Sequence, residues 1–128
     1  MDDVLGESRK AVILYLTTKD SGHYVTLFEN ANGLVYFNSY GLYPDEDFKL
    51  ISNRDKLGES VPYLSNLLKG KKVDINKVQY QDEKNKTCGH WVIFRNYMDE
   101  YSNDQFQQIV QRLVKQRGLT PDEIVVKV

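Results

Sequence analysis

The stretch HYVTLFENANGLVYFNSY, residues 23–40, decides how the chain folds. Two runs rich in β-branched and aromatic residues flank the Asn/Gly segment NANG, the composition of a β-hairpin with a short loop. If that loop joins Glu29 to Leu34, the pairing continues back through Val25 opposite Asn38 and His23 opposite Tyr40. Asn38 is then the diagonal neighbour of His23 on one face of the sheet, roughly 7 to 8 Å away between backbones and within side-chain reach. A loop one residue longer would throw the two onto opposite faces.

Upstream, the apolar run AVILYLTT from Ala11 to Thr18 reads as a strand covered on both faces, preceded by a polar, flexible arm over residues 1–10. Downstream, GLYPDED breaks the sheet, and Leu57, Val61, Leu64 and Leu68 recur at helical spacing up to Gly70. Val73, Ile75 and Val78 alternate with polar residues as a further strand, and DEKNKT is a loop. Trp91, Phe94, Met98 and Tyr101 predict a helix over CGHWVIFRNYMDEY that opens at Cys88. Phe106, Ile109, Val110, Leu113 and Val114 predict a second, closed by Gly118. The terminal TPDEIVVKV combines a helix-capping pattern with strand-forming residues, so its state stays open. The expected architecture is one α+β domain over residues 1–128: a small mixed, mainly antiparallel sheet with helices packed on it and a cysteine at the N-terminus of a central helix.

Composition narrows the function. Lys plus Arg (17) nearly balance Asp plus Glu (18), and the basic residues are scattered, so no nucleic-acid surface is expected. The longest apolar run, AVILYL, is far short of the roughly 20 residues that cross a bilayer, and the acidic start MDDVLGE does not suit a signal peptide. A soluble, intracellular protein without a membrane partner is expected. The single cysteine excludes an intramolecular disulfide and leaves a thiol able to react.

That thiol lies in YQDEKNKTCGHW, residues 80–91, at a loop-to-helix junction where a structural cysteine is unusual. A helix opening at Cys88 surrounds the sulfur with unpaired backbone N–H groups and partial positive charge, which favour thiolate over the ordinary pKa of about 8.5. Gly89 leaves room for a substrate backbone. A thiol hydrolase needs a base, and the chain offers His23 and His90. His90 stands two residues after the sulfur, where helix side chains point apart, so His23 is the candidate base and Asn38 its orienting partner. Gln81, ahead of the cysteine, is a candidate oxyanion donor beside the Cys88 amide.

The order His23-Tyr24, then Phe37-Asn38-Ser39-Tyr40-Gly41-Leu42, then Gln81, then Cys88-Gly89 resembles the adenovirus endopeptidase (adenain) group and its clan, which includes the SUMO-specific proteases. The resemblance implies a minimal adenain-like fold, with Cys88 as nucleophile, His23 as general base, Asn38 as third member and Gln81 at the oxyanion hole. Gly22, Tyr24 and Gly89 are then the candidate substrate-contacting residues. It further implies an endopeptidase that uses no cofactor or metal and cleaves viral capsid or core precursors, in host cytoplasm or virion. Two positions depart from the group: many relatives carry tryptophan where this chain has Tyr24, and a carboxylate where it has Asn38. Asparagine can orient an imidazole without offsetting its charge, which keeps Asp45 and Asp47 as alternatives. Rival functions are a ubiquitin-like deconjugase or acyltransferase with the same site, a noncatalytic interaction domain, or a metal site built from Cys88, His90 and His23.

Overall fold

The computed structural model describes residues 5–18, 21–46, 63–82 and 86–127. Its centre is the hairpin of β2 (Ser21–Asn30) and β3 (Gly33–Phe37), joined by a two-residue turn at Ala31-Asn32 in which the Asn30 side chain accepts from the Asn32 amide at 2.9 Å. The rungs run from Asn30 with Gly33 through Glu29 with Leu34 to Thr26 with Phe37, the register expected from the sequence. There β3 stops. Asn38 enters a turn closed by the Gly41 amide on its carbonyl at 2.8 Å, so Val25 and Asn38 face the same way without forming a rung. Gly41 has a φ of 75°, and a Cβ there would stand 2.8 Å from the Val78 carbonyl carbon, so this turn needs glycine twice over.

On the other side of β2, β1 (Lys10–Thr18) pairs antiparallel from Lys10 with Phe28 to Leu16 with Gly22. β1 is an edge strand, and the expectation that it is covered on both faces is corrected: Val12 is 56% exposed and Leu14 42%. The helix on that face packs over β2 and leaves the edge open. β4 (Val73–Ile75) joins β3 in parallel, giving a mixed four-stranded sheet in the order β1-β2-β3-β4. It is shorter than the alternation up to Val78 predicts, because Asn76 turns the chain, donating to the Asn38 and Val78 carbonyls and accepting from the Val78 amide.

Strand alternation divides the apolar residues between two cores. One face holds Tyr15, Val25, Leu27 and Tyr36 beneath Leu64 and Leu68 of α1 (Tyr63–Leu68). Leu57 and Val61, expected in the same helix, lie outside the described residues. Leu5 is buried in this core, and Arg9 pairs with Glu29 at 2.8 Å, so the expected loose arm is docked from residue 5 onward.

The opposite face carries α2 (Cys88–Tyr97), α3 (Asn103–Arg117) and α4 (Pro121–Lys127), whose Trp91, Phe94, Phe106, Val110 and Val125 enclose Phe37 and Tyr80. α3 starts with a capping box between Ser102 and Gln105 and ends at Gly118 in the left-handed conformation. The open question of the last segment is settled as helix. Thr120 and Glu123 cap it reciprocally, worth about 1 kcal/mol, and burial of Ile124 and Val125 adds roughly 1.5 to 3 kcal/mol each. Strand propensity spans only about 1 kcal/mol and loses.

α2 ends at Tyr97, one turn before the expected Tyr101, because Arg95 gathers the chain beyond it. Its fully buried guanidinium lies between the rings of Phe28 and Phe106, about 5 Å from each centroid. It donates to the Met98 and Tyr101 carbonyls at 2.8 and 2.7 Å and to the Asn103 side chain. Burial lowers its pKa to about 10, opposed by Asp74, so it stays charged at neutral pH. Arg95→Met should cost about 2 to 4 kcal/mol by removing the donor to the Tyr101 carbonyl and the Asn103 side chain and leaving the Met98 carbonyl with the Tyr101 amide alone, read as a lower denaturation midpoint in urea; an unchanged midpoint would show that Arg95 is dispensable.

Candidate active site

The end of β3 creates the site. Beyond Thr26, β2 has no β3 residue beside it, and the Tyr24 amide donates instead to the Cys88 sulfur at 3.5 Å. α2 is held over this gap by packing on β2, where the Thr26 hydroxyl donates to the Asn96 side-chain oxygen at 2.7 Å. Its first residue, Cys88, is half-buried. Thr87 occupies the N-cap position without a side-chain cap, and the first turn of the helix carries no acidic residue of its own.

His23 is 5% exposed and shares the sheet face of Val25 and Leu27. Its Nε2 lies 2.8 Å from Asn38 Oδ1. That same Oδ1 accepts the Tyr40 backbone N–H at 2.9 Å, which identifies it as oxygen and makes Nε2–H the donor. Nδ1 is thereby the ring nitrogen left to exchange a proton, and the imidazole lies near enough to Cys88 to lower its pKa. The Tyr40 ring stacks on the imidazole, centroids 4.4 Å apart and planes at 26°. Asn38 is fixed in turn by Asn76, which donates to its carbonyl at 2.7 Å.

Burial of Cys88 pushes its thiol pKa up. The His23 hydrogen bond, the Tyr24 amide, the imidazolium charge and the Gly89 amide pull it down and together prevail, so the thiol titrates below its ordinary value. Thiolate and imidazolium stabilise one another here, the poise a sulfur nucleophile requires.

Gln81 is 1% exposed, and its Oε1 accepts from the Ser39 hydroxyl at 2.6 Å. Its Nε2 donates to the Tyr40 hydroxyl at 3.4 Å, so Gln81 is tied to the site through the ring that stacks on His23. His23 and Asn38 are joined directly, with Cys88 near enough for its pKa to respond to the imidazole; Gln81 stands one residue removed. Asp45 is corrected as a third-member alternative: its carboxylate accepts from the Tyr15 hydroxyl and the Ser65 amide. Asp47 lies outside the described residues.

Among the substrate-contacting candidates, Gly22 is accounted for otherwise. A Cβ there would meet the Leu14 side chain at 2.6 Å and the Tyr15 carbonyl oxygen at 2.7 Å, so its smallness serves the β1 pairing. Gly89 is open, its nearest neighbour being the half-exposed Tyr24 ring at 4.0 Å. His90 is exposed on α2, and among the described residues no three His, Cys, Asp or Glu side chains converge as metal ligands. No described helix is long and apolar enough to cross a membrane. Ser39, Tyr40 and Asn76 support the site without a role assigned from the sequence: Ser39 and Tyr40 sit in the same NSYG turn as Asn38, and Asn76 carries no local signal.

Fold and site together define a small α+β domain in which a buried imidazole–amide pair meets a thiol at a helix N-terminus. The chain is 35% identical over 132 residues to uncharacterized protein V9 of the Sputnik virophage, a match covering 98% of this chain and 75% of the relative, and it belongs to that protein's family. No family model matches it, and no solved structure does.

Alkylation of Cys88 by iodoacetamide should rise with pH through a midpoint below that of a free thiol. His23→Ala should move the midpoint upward, because the largest stabilising partner of the thiolate is gone. Identical profiles would separate imidazole from sulfur.

Proposed function

We propose that the chain is a cysteine endopeptidase of the adenain-like type, acting on viral precursor proteins during particle maturation. The observation that carries this reading is the His23 imidazole seated on Asn38, with 2.8 Å between Nε2 and Oδ1, beside a thiol whose pKa it lowers. Each member has the tautomer and neighbour its role demands.

In this mechanism the thiolate of Cys88 attacks the scissile carbonyl carbon, and the carbonyl π pair moves onto oxygen. The oxyanion is met by the Cys88 backbone N–H and by Gln81 Nε2, whose amide is oriented by the Ser39 hydroxyl on Oε1. As the tetrahedral species collapses, His23 gives its Nδ1 proton to the leaving amine and a thioester remains on sulfur. His23 then takes a proton from water, whose hydroxyl adds to the thioester; the thiolate leaves and the carboxylic product departs. Asn38 holds the ring through Nε2–H without adding negative charge of its own.

Gly89 is open apart from the Tyr24 ring at 4.0 Å, which leaves room for an extended peptide beside the sulfur; a preference for small residues beside the cleaved bond follows from the adenain-like resemblance alone. A virophage relative suits a viral precursor as substrate.

Recombinant protein incubated with a peptide mixture should cut after small residues. Cys88→Ala should abolish cleavage, and Gln81→Ala should lower kcat by about 10² to 10³ with KM little changed. Cleavage that survives both Cys88→Ala and His23→Ala would refute the thiol mechanism.

A further inference from the structure

One buried carboxylate ties together both flanks of the segment that joins the oxyanion donor to the nucleophile. Asp122, in the first turn of α4, is 8% exposed. Its Oδ2 accepts the Asp82 amide at 2.9 Å, immediately after Gln81. Its Oδ1 accepts the Thr87 hydroxyl at 2.6 Å, immediately before Cys88, and the Trp91 indole N–H at 3.1 Å, one turn into α2. Thr87 is thereby drawn away from capping its own helix, which leaves the first-turn N–H groups of α2 for the sulfur side.

The geometry points to Asp122 as a positioning residue for the proposed peptidase reaction: we propose that it sets the distance between the Gln81 amide and the Cys88 amide, and so the width of the oxyanion hole. This rests on the peptidase reading above. The chemistry favours such a role over mere packing. A carboxylate has two acceptor oxygens and no donor, so it can serve three donors from two backbone segments at once. A neutral group of the same shape cannot, and a buried donor left unpaired forces the loop to shift. Asp122 touches neither Cys88 nor His23, so the thiolate, set by the imidazole and the Tyr24 amide, is independent of it.

The test uses the isosteric Asp122→Asn beside the wild type, with Thr87→Val as a second variant that removes one arm only. In Asp122→Asn the amide keeps one oxygen for Thr87 and Trp91 but turns an NH₂ group toward the Asp82 amide. Expected are a fall in kcat of about 10² with KM unchanged, and an unchanged pH profile of Cys88 alkylation by iodoacetamide. Hydrogen exchange at the Asp82 amide, followed by NMR, should quicken by about ten-fold or more. Thr87→Val should show a smaller kcat loss with Asp82 exchange preserved. Unchanged Asp82 exchange in folded Asp122→Asn overturns the anchor. A kcat that persists despite faster exchange overturns its bearing on the oxyanion hole, as does an alkylation profile lost in parallel with kcat. A wild type that cleaves no peptide while Asp82 exchange responds as expected sinks the peptidase reading instead.

Discussion

Once Phe37 has made its last rung with Thr26, β2 runs on toward Ser21 with β1 alone beside it, and everything in the site depends on what fills the vacated side. The Tyr24 amide would be an orphan donor there. It meets the Cys88 sulfur instead, and the Asn38 side chain swings under His23 because the turn at Asn38–Gly41 has released it from the ladder. A strand one residue longer would pair these groups away. The two-residue turn at Ala31-Asn32 fixes the phase, since a slip of one residue would carry Asn38 to the opposite face.

The electrostatics follow from that placement. A half-buried sulfur resists ionisation. The His23 imidazole and the Tyr24 and Gly89 amides outweigh that cost, and the thiol shifts below its ordinary range. Asparagine in place of a carboxylate fits this balance: Asn38 fixes the tautomer without drawing the imidazolium charge away from sulfur. The helix is in turn held on β2 by the Thr26–Asn96 contact and by Arg95 between Phe28 and Phe106, so the buried cation far from the chemistry supports the angle at which Cys88 arrives.

The hairpin, its register and the start of α2 were legible in the sequence because each is a local matter: an Asn/Gly turn of fixed length, a period of two, a period of 3.6. His23 and Asn38 inherit their proximity from that register, so the pair follows from sequence spacing. Contacts between remote segments left no such trace. The exposure of Val12 and Leu14 depends on where α2 lies, the docking of Leu5 on a core built by α1, and the helical state of Ile124 and Val125 on packing that outweighs their strand preference. Asp122 shows the limit most clearly, since its three partners stand 31 to 40 residues away. Its charge alone suggested only a helix start.

The most direct measurement is the crystal structure of the protein after reaction with a peptide aldehyde. The mechanism predicts a single bond from Cys88 Sγ to the aldehyde carbon, the resulting oxygen within hydrogen-bond distance of both the Cys88 amide and Gln81 Nε2, and His23 still seated on Asn38. No adduct at Cys88, or an adduct whose oxygen faces solvent with the imidazole turned off Asn38, would contradict it.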